Sequence, residues 1–222
     1  MDPKLTSSFR LRTIARFWRY FRVGRIDLLG KQNLNLIPAD KRVIIAVSHL
    51  TDFDMPAVIS QLATQFDLII ANTALHHNFF QKPFLHLAMQ LADKKNFLPV
   101  RYRETANHKK LGAFDSADFE RMRSALERGK TLVIAAHNPA HGQLPPSGYG
   151  AAYLHQITPR SIILPVSVCF SQTPSRWNRA NARITIQTPI TLSPILHIER
   201  FAGLSGDYHQ SRNRMGQEEE RE

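Results

Sequence analysis

The fold of this 222-residue chain is decided by a stretch of twelve residues, Val43-Ile44-Ile45-Ala46-Val47-Ser48-His49-Leu50-Thr51-Asp52-Phe53-Asp54. Its apolar, mostly β-branched beginning predicts a buried strand over residues 43–47. Pro56 follows closely, and proline is favoured in the first turn of a helix, so a helix is expected over residues 56–64. A buried strand that leads directly into a helix is typical of an α/β layered domain.

The turn between this strand and this helix carries His49 and Asp54. An imidazole can accept a proton near neutral pH, and a carboxylate that binds its second ring nitrogen can orient it. Five residues apart on one continuous helix they would diverge by roughly 140°, so the pair can meet only if a turn separates them. His49 and Asp54 are therefore candidates for a general base and its orienting partner.

Helix capping is the alternative interpretation of the same residues. Thr51-Asp52-Phe53-Asp54 fits a capping box, in which Asp54 satisfies backbone N–H groups at the start of the helix. His49 would then be a hydrogen-bonded core histidine. The two interpretations are compatible, because one loop can both cap a helix and orient a base.

Strand and helix patterns continue along the chain. Apolar runs predict strands over residues 24–29, 66–70, 97–100, 132–136 and 162–170, and residues 183–188 alternate like an exposed-edge strand. Helices are predicted over residues 79–91 and 115–128, with a short one between the two strands that follow. The order predicts one α/β domain, residues 24–204, with a mixed, mostly parallel sheet flanked by helices. Residues 205–222 are polar and are predicted to be disordered.

Residues 1–23 predict a basic amphipathic helix. Eight Lys and Arg against two Asp give residues 1–31 a net charge of +6, out of +11 for the chain. Ile14, Phe17, Trp18 and Phe21 recur at helical spacing and predict an apolar face. Such a helix suits a membrane interface, which predicts a cytoplasmic protein bound peripherally to the inner face of a membrane. The alternatives are a helix whose aromatic face packs on the domain, and a nucleic-acid surface, which no motif in the sequence supports.

Several classes of protein are disfavoured by the composition. Cys169 is the only cysteine, so an intrachain disulfide is impossible. No apolar run is long enough to span a bilayer. His137 and His141 are four residues apart, but Pro139 between them disfavours the helix that would direct both at one metal ion. We therefore expect no metal, no cofactor and no nucleic-acid partner.

Four segments, in this order, resemble the motifs of the glycerophospholipid acyltransferases, the family of 1-acyl-glycerol-3-phosphate acyltransferase. Ser48-His49 followed by Asp54 is similar to the family's first motif, His-x4-Asp after an asparagine, here replaced by serine. Phe97-Leu98-Pro99-Val100-Arg101 resembles the second motif, and Ile163-Leu164-Pro165-Val166-Ser167-Val168 the fourth. Val23-Gly24-Arg25-Ile26-Asp27-Leu28-Leu29-Gly30 and Gly150-Ala151-Ala152 are similar to intervening features. The resemblance covers roughly residues 23–190.

This resemblance implies a transferase of phospholipid biosynthesis. It would move a fatty acyl group from acyl-CoA or acyl carrier protein to a hydroxyl of a lysophospholipid or related lipid. His49 would be the general base, and Arg101 would hold the anionic head group. Arg103 points the same way if the strand continues, and would assist. The alternative from another class is a non-catalytic module that binds anionic lipid.

The third motif departs from the family. Where the family has Phe-Pro-Glu-Gly-Thr-Arg, the chain has Ala135-Ala136-His137-Asn138-Pro139-Ala140-His141-Gly142. Asn138 then stands in place of the glutamate and His141 in place of the arginine. An amide carries no charge and a histidine is only partly charged at neutral pH. The change predicts an unusual acceptor; a shifted register or a weakly active family member are the alternatives.

Overall fold

The computed structural model describes residues 9–48, 54–72, 94–100, 116–135, 149–172 and 178–191. The α-helices in these ranges are α1 (Phe9–Arg22), α2 (Asp54–Leu62), α3 (Ser116–Glu127) and α4 (Tyr149–Ile157). The strands are β1 (Val23–Leu29), β2 (Arg42–Val47), β3 (Leu68–Asn72), β4 (Phe97–Pro99), β5 (Thr131–Ala135), β6 (Ser161–Phe170) and β7 (Ala180–Ile186). Short 3-10 helices cover Lys31–Leu36 and Lys94–Asn96.

In these ranges the seven strands form one sheet in the order β1-β7-β6-β2-β5-β3-β4. Strands β6, β2, β5, β3 and β4 run parallel to one another. Strand β7 is antiparallel to β6, and β1 is parallel to β7, so these two strands run the opposite way. The predicted mixed, mostly parallel sheet with flanking helices is confirmed.

Helices cover both faces of the sheet. Val43, Ile45 and Val47 of β2 belong to the core cluster that includes α1 and α2, whereas Ile44 and Ala46 belong to the cluster that includes α3 and α4. A strand that is buried on both faces must be apolar at every position. This double burial explains why residues 43–47 are a continuous apolar run.

Helix α1 packs on α2. Leu11 and Ala15 are the residues buried in the core cluster, and Ile14 packs against it. Phe17, predicted to share the face of Ile14, is exposed. At Phe17 the alternative of an aromatic face packed on the domain is wrong, whereas the membrane interface stays a prediction.

Strand β7 is not an edge strand, which corrects the prediction for residues 183–188. It lies between β6 and β1, and the edges of the described sheet are β1 and β4. Ala182 and Ile184 are buried while Asn181 and Arg183 are exposed. A strand inside the sheet that has one buried and one exposed face shows the same alternation of apolar and polar residues as an edge strand. The sequence pattern alone could therefore not distinguish the two positions.

The other predicted boundaries moved by a few residues. The helix expected over 115–128 is α3, and the helix expected over 56–64 is α2, which begins two residues earlier at Asp54. The strand expected over 66–70 is β3, which begins at Leu68. The helix predicted over 79–91 and the tail 205–222 lie outside the described residues.

Within the described ranges, two glycines adopt left-handed backbone conformations. Gly129, with φ 84°, ends α3: its N–H donates to Leu126 O and the Lys130 N–H to Ala125 O, which is a Schellman motif. Gly30, with φ 71°, ends β1 and lies against β7. A Cβ on Gly30 would be 2.0 Å from the Ile186 carbonyl oxygen, whereas the nearest atom to a Cβ on Gly129 is 3.7 Å away.

We expect Gly30→Ala to destabilise the protein more than Gly129→Ala. The left-handed conformation costs both variants about 1 kcal/mol, and only Gly30→Ala must also displace backbone of β7, for a total of at least about 2–3 kcal/mol. Urea unfolding of the two variants beside wild type measures the difference. Equal losses of unfolding free energy would show that Gly30 does not hold β1 against β7.

Candidate active site

Strands β2, β5, β3 and β4 end at one level of the sheet, which we call the carboxyl edge, and β6 continues past it. Val47 pairs with Ala135 on one side and with Val166 on the other. Asn72 pairs with Pro99, and the register between β3 and β5 continues the same row. In open α/β sheets ligands bind outside the carboxyl ends of the strands. The row therefore marks the position at which a site is expected.

The predicted site residues follow this row in the sequence. His49 is the second residue after Val47, Arg101 is the second after Pro99, and Asn138 is the third after Ala135. These three residues, like Arg103 and His141, lie outside the described residues. Strands β2, β4 and β5 bring the starts of the three segments that carry these residues to one edge of the sheet.

Asp54 is the one predicted site residue that the structure describes. It is the first residue of α2 and is only 1% exposed. A carboxylate there is stabilised by the unpaired N–H groups and the positive end of the helix dipole. Because burial of a carboxylate is costly unless it is bound, Asp54 is held in place rather than freely rotating. Both capping and orientation of a neighbouring imidazole use such a fixed carboxylate.

Ser48 joins the end of β2 to β6. Its N–H donates to Val166 O at 2.9 Å, which extends the parallel ladder by one residue. Its hydroxyl oxygen accepts from the Val168 N–H at 3.4 Å. In a regular parallel ladder the backbone carbonyl of residue 48 would accept that N–H. The hydroxyl therefore anchors the chain at the residue that immediately precedes His49.

This anchoring role was not recognised in the sequence. There, Ser48 was noted only as the replacement for an asparagine, because a serine at a strand end is common and carries no specific signal. Its position between a buried strand and a candidate base is the signal that could have revealed the role. Asparagine at this position also has a side-chain oxygen that can accept a hydrogen bond.

A β-hairpin borders the carboxyl edge on one side. Strand β6 continues past Val166 for four more residues, about 13 Å, to Phe170. Strand β7 follows it back, with Ala182 opposite Phe170. The two strands project beyond the end of β2 and therefore flank the point at which the chain leaves β2.

Of the described helices, α2 and α4 begin at the carboxyl edge, on opposite faces of the sheet. Helix α2 follows β2 and belongs to one core cluster, and α4 precedes β6 and packs in the other. Both therefore present backbone N–H groups at the edge where the predicted site residues follow the strands. The N–H groups after Asp54 and those near Gly150 both stay candidates for holding an oxyanion.

Among the described residues, no three His, Cys, Asp or Glu side chains lie close enough together to hold a metal ion. No helix in the described ranges is both long enough and apolar enough to cross a membrane.

Comparison with known proteins identifies the fold. No protein-family model and no curated protein sequence matches the chain. Among solved structures, it is similar to the 1-acyl-sn-glycerophosphate (LPA) acyltransferase PlsC from Thermotoga maritima, with a TM-score of 0.55 and 14% sequence identity. The similarity covers 88% of this chain and 74% of that protein. The chain has the α/β fold of a PlsC-type acyltransferase.

Replacing Ser48 tests its anchoring role. We expect Ser48→Ala to lower the free energy of unfolding by about 1 kcal/mol, because it removes the acceptor of the Val168 N–H. Amide hydrogen exchange at Val168 should become faster. Ser48→Asn supplies an amide oxygen and serves as the matched control. Unchanged exchange at Val168 in Ser48→Ala would contradict the assignment.

Proposed function

We propose that the chain is an O-acyltransferase of the 1-acyl-glycerol-3-phosphate acyltransferase type. It would move a fatty acyl group from acyl-CoA or acyl carrier protein to a hydroxyl of a lysophospholipid or related lipid acceptor, in phospholipid biosynthesis. One observation carries the proposal: the His-x4-Asp sequence bridges the end of the central strand β2 and the start of α2. The fold shared with a PlsC-type acyltransferase supports it.

His49 would act as the general base. It accepts the proton of the acceptor hydroxyl as the oxygen attacks the thioester carbonyl, and Asp54 stabilises the imidazolium that forms. The new C–O bond gives a tetrahedral intermediate, whose oxyanion needs backbone N–H donors. When the C–S bond breaks, His49 returns the proton to the leaving thiolate. The cycle closes without a covalent enzyme intermediate or a cofactor.

The order of the strands indicates how the acceptor would lie. Strand β4, which precedes Arg101, is separated from β2 by β5 and β3. Three strand spacings amount to about 14 Å. A head group at Arg101 and Arg103 would therefore be held at a distance from the attacked hydroxyl near His49. This arrangement suits an acceptor that extends across the ends of the strands.

The altered third motif would act closest to the base. Asn138 and His141 follow β5, the strand directly beside β2. The third motif, which departs most from the family, would therefore contact the acceptor between His49 and Arg101. Since an amide and a mostly neutral imidazole replace two charged groups, we propose an acceptor with less negative charge at this position than a lysophosphatidate.

The enzyme would work at the inner, cytoplasmic face of a membrane, where such acceptors reside. Helix α1 contains five arginines and no acidic residue. Basic residues near an anionic leaflet contribute about 1 kcal/mol each. The same helix favours the second candidate function, a non-catalytic module that binds anionic lipid. That module would bind lipid without turnover.

Loss of the base should abolish turnover. With a labelled acyl thioester and a panel of lysolipids, we expect His49→Ala to lower the rate of acyl transfer by at least about 100-fold. His155→Asn is the matched control. His155 lies on α4 with its Nδ1 2.8 Å from Ser161 Oγ, at the opposite edge of the sheet, and should be dispensable. Acylation that persists in His49→Ala would reject the general base, and wild type that binds lipid without turnover would favour the module.

Neutralising the carboxylate should affect the chemical step. We expect Asp54→Asn to lower kcat by about two orders of magnitude or more while KM changes little, because an amide no longer stabilises the imidazolium. Asp67→Asn is the control: Asp67 pairs with Lys130 at the opposite edge. If the two variants lose equal amounts of unfolding free energy and both keep the wild-type kcat, Asp54 only caps α2.

A further inference from the structure

Strand β1 forms one edge of the described sheet. Within the described ranges it pairs with β7, and no strand lies on its other side, which we call the outer edge of β1. The strand also belongs to the part of the sheet that projects past the carboxyl edge, because Ile26 pairs with Ala182, which pairs with Phe170. An edge strand offers a row of backbone N–H and C=O groups with which another strand can pair.

The contact with β7 determines which backbone groups of β1 point outward. The Arg25 N–H points towards β7, because it donates to Asn181 Oδ1 at 2.9 Å. Backbone groups alternate in direction along an extended strand, so the N–H and C=O groups of Ile26 and Leu28 point away from β7. The side chains of the same two residues pack against the core cluster that includes α1 and α2. Their backbone can therefore pair with a further strand while their side chains stay in place.

The side chains that alternate with these two residues carry opposite charges. Arg25 and Asp27 lie on the other face of the sheet, where their side chains are 81% and 45% exposed, and Arg25 Nε lies 2.8 Å from Asp27 Oδ1. Charges on an edge strand usually keep other strands away. These two charges differ because they flank Ile26 symmetrically, one residue before it and one residue after it.

Two antiparallel β1 strands related by a two-fold axis at Ile26 bring these opposite charges together. Each Ile26 exchanges both of its backbone hydrogen bonds with Ile26 of the second copy. Arg25 then stands opposite Asp27 of the second copy, and Asp27 stands opposite Arg25. Pairs at such positions are the closest in an antiparallel ladder, with about 4.5 Å between their Cα atoms. The four side chains form a square, which we call the charge square, in which each neighbour has the opposite sign.

Other registers of the same two strands are less favourable. An axis at Arg25 or at Asp27 places two like charges opposite each other, which destabilises a pair of strands. An axis further along β1 leaves fewer residues paired, because the register with β7 is irregular between Val23 and Ile26 and the strand ends at Leu29. The net charge of +11 opposes association, but at physiological ionic strength charges more than about 8 Å apart are largely screened.

We propose that the outer edge of β1 pairs with β1 of a second copy of this chain, so that the two sheets form one continuous sheet. Because the two β1 strands are antiparallel, the carboxyl edges of the two copies face opposite directions. Each copy keeps its own candidate site, since β7 and β6 separate β1 from β2. The dimer does not depend on the proposed acyl transfer and stands even if that reaction is not found.

Sedimentation equilibrium of the full chain measures this association. The contact is small, so we expect wild type to be a reversible dimer whose fraction increases with protein concentration. Arg25→Asp makes the charge square all acidic, and Asp27→Arg makes it all basic. Each variant should associate at least about tenfold more weakly than wild type. An equimolar mixture of the two variants should dimerise again, because each acidic side chain then stands opposite a basic one.

Two further variants serve as controls. The exchanged variant Arg25→Asp/Asp27→Arg keeps a self-complementary charge square and should dimerise like wild type. Arg128→Asp lowers the net charge by as much as Arg25→Asp does, but Arg128 is an exposed residue directly after α3, so association should not change. Urea unfolding of every variant checks that it is folded.

Three outcomes would overturn the proposal. The first is a wild type that stays monomeric up to about 1 mM. The second is a pair of single variants that associate as strongly as wild type, since the charge square would then have no role. The third is a mixture that stays monomeric although both variants unfold as cooperatively as wild type.

Discussion

The structure depends on the parallel pairing of β2 with β5 and β6. Val47 is level with both Ala135 and Val166, so three strands that are distant in the chain meet at one row. The pairing brings the ends of strands that are distant in the chain to one line. Each segment that follows one of these strand ends can then contribute a side chain from a rigid support, although the sequence of the segment itself has no regular pattern.

Double burial also explains which parts of the fold were predictable. The strands near the centre of the sheet, β2, β5 and β6, were found as continuous apolar runs because helices cover both their faces. Strand β7 was misplaced at an edge because one open face gives it an alternating sequence. The packing of α1 through Leu11 and Ala15 was not predicted, since Ala15 carries little hydrophobic signal although it is buried.

The candidate site was predictable only in outline. The pair of His49 and Asp54 was recognised from spacing and from its position between a strand and a helix, and burial of Asp54 at the start of α2 agrees with a fixed carboxylate. Ser48 was missed because its role depends on a backbone N–H of Val168, 120 residues away in sequence. No local pattern encodes such a contact. His49, Arg101, Arg103, Asn138 and His141 stay predictions.

The pairing of β1 with β7 affects the order in which the molecule assembles. Val23 pairs with Ala180, so the first described strand finds its neighbour only after nearly the whole domain has been synthesised. Contacts so distant in the chain form late, because the intervening loop must close first. Arg179, which fixes the α1–β1 junction, arrives equally late. A nascent chain can therefore pack α1 on α2 early, but it carries the junction of α1 and β1 unfixed through most of its synthesis.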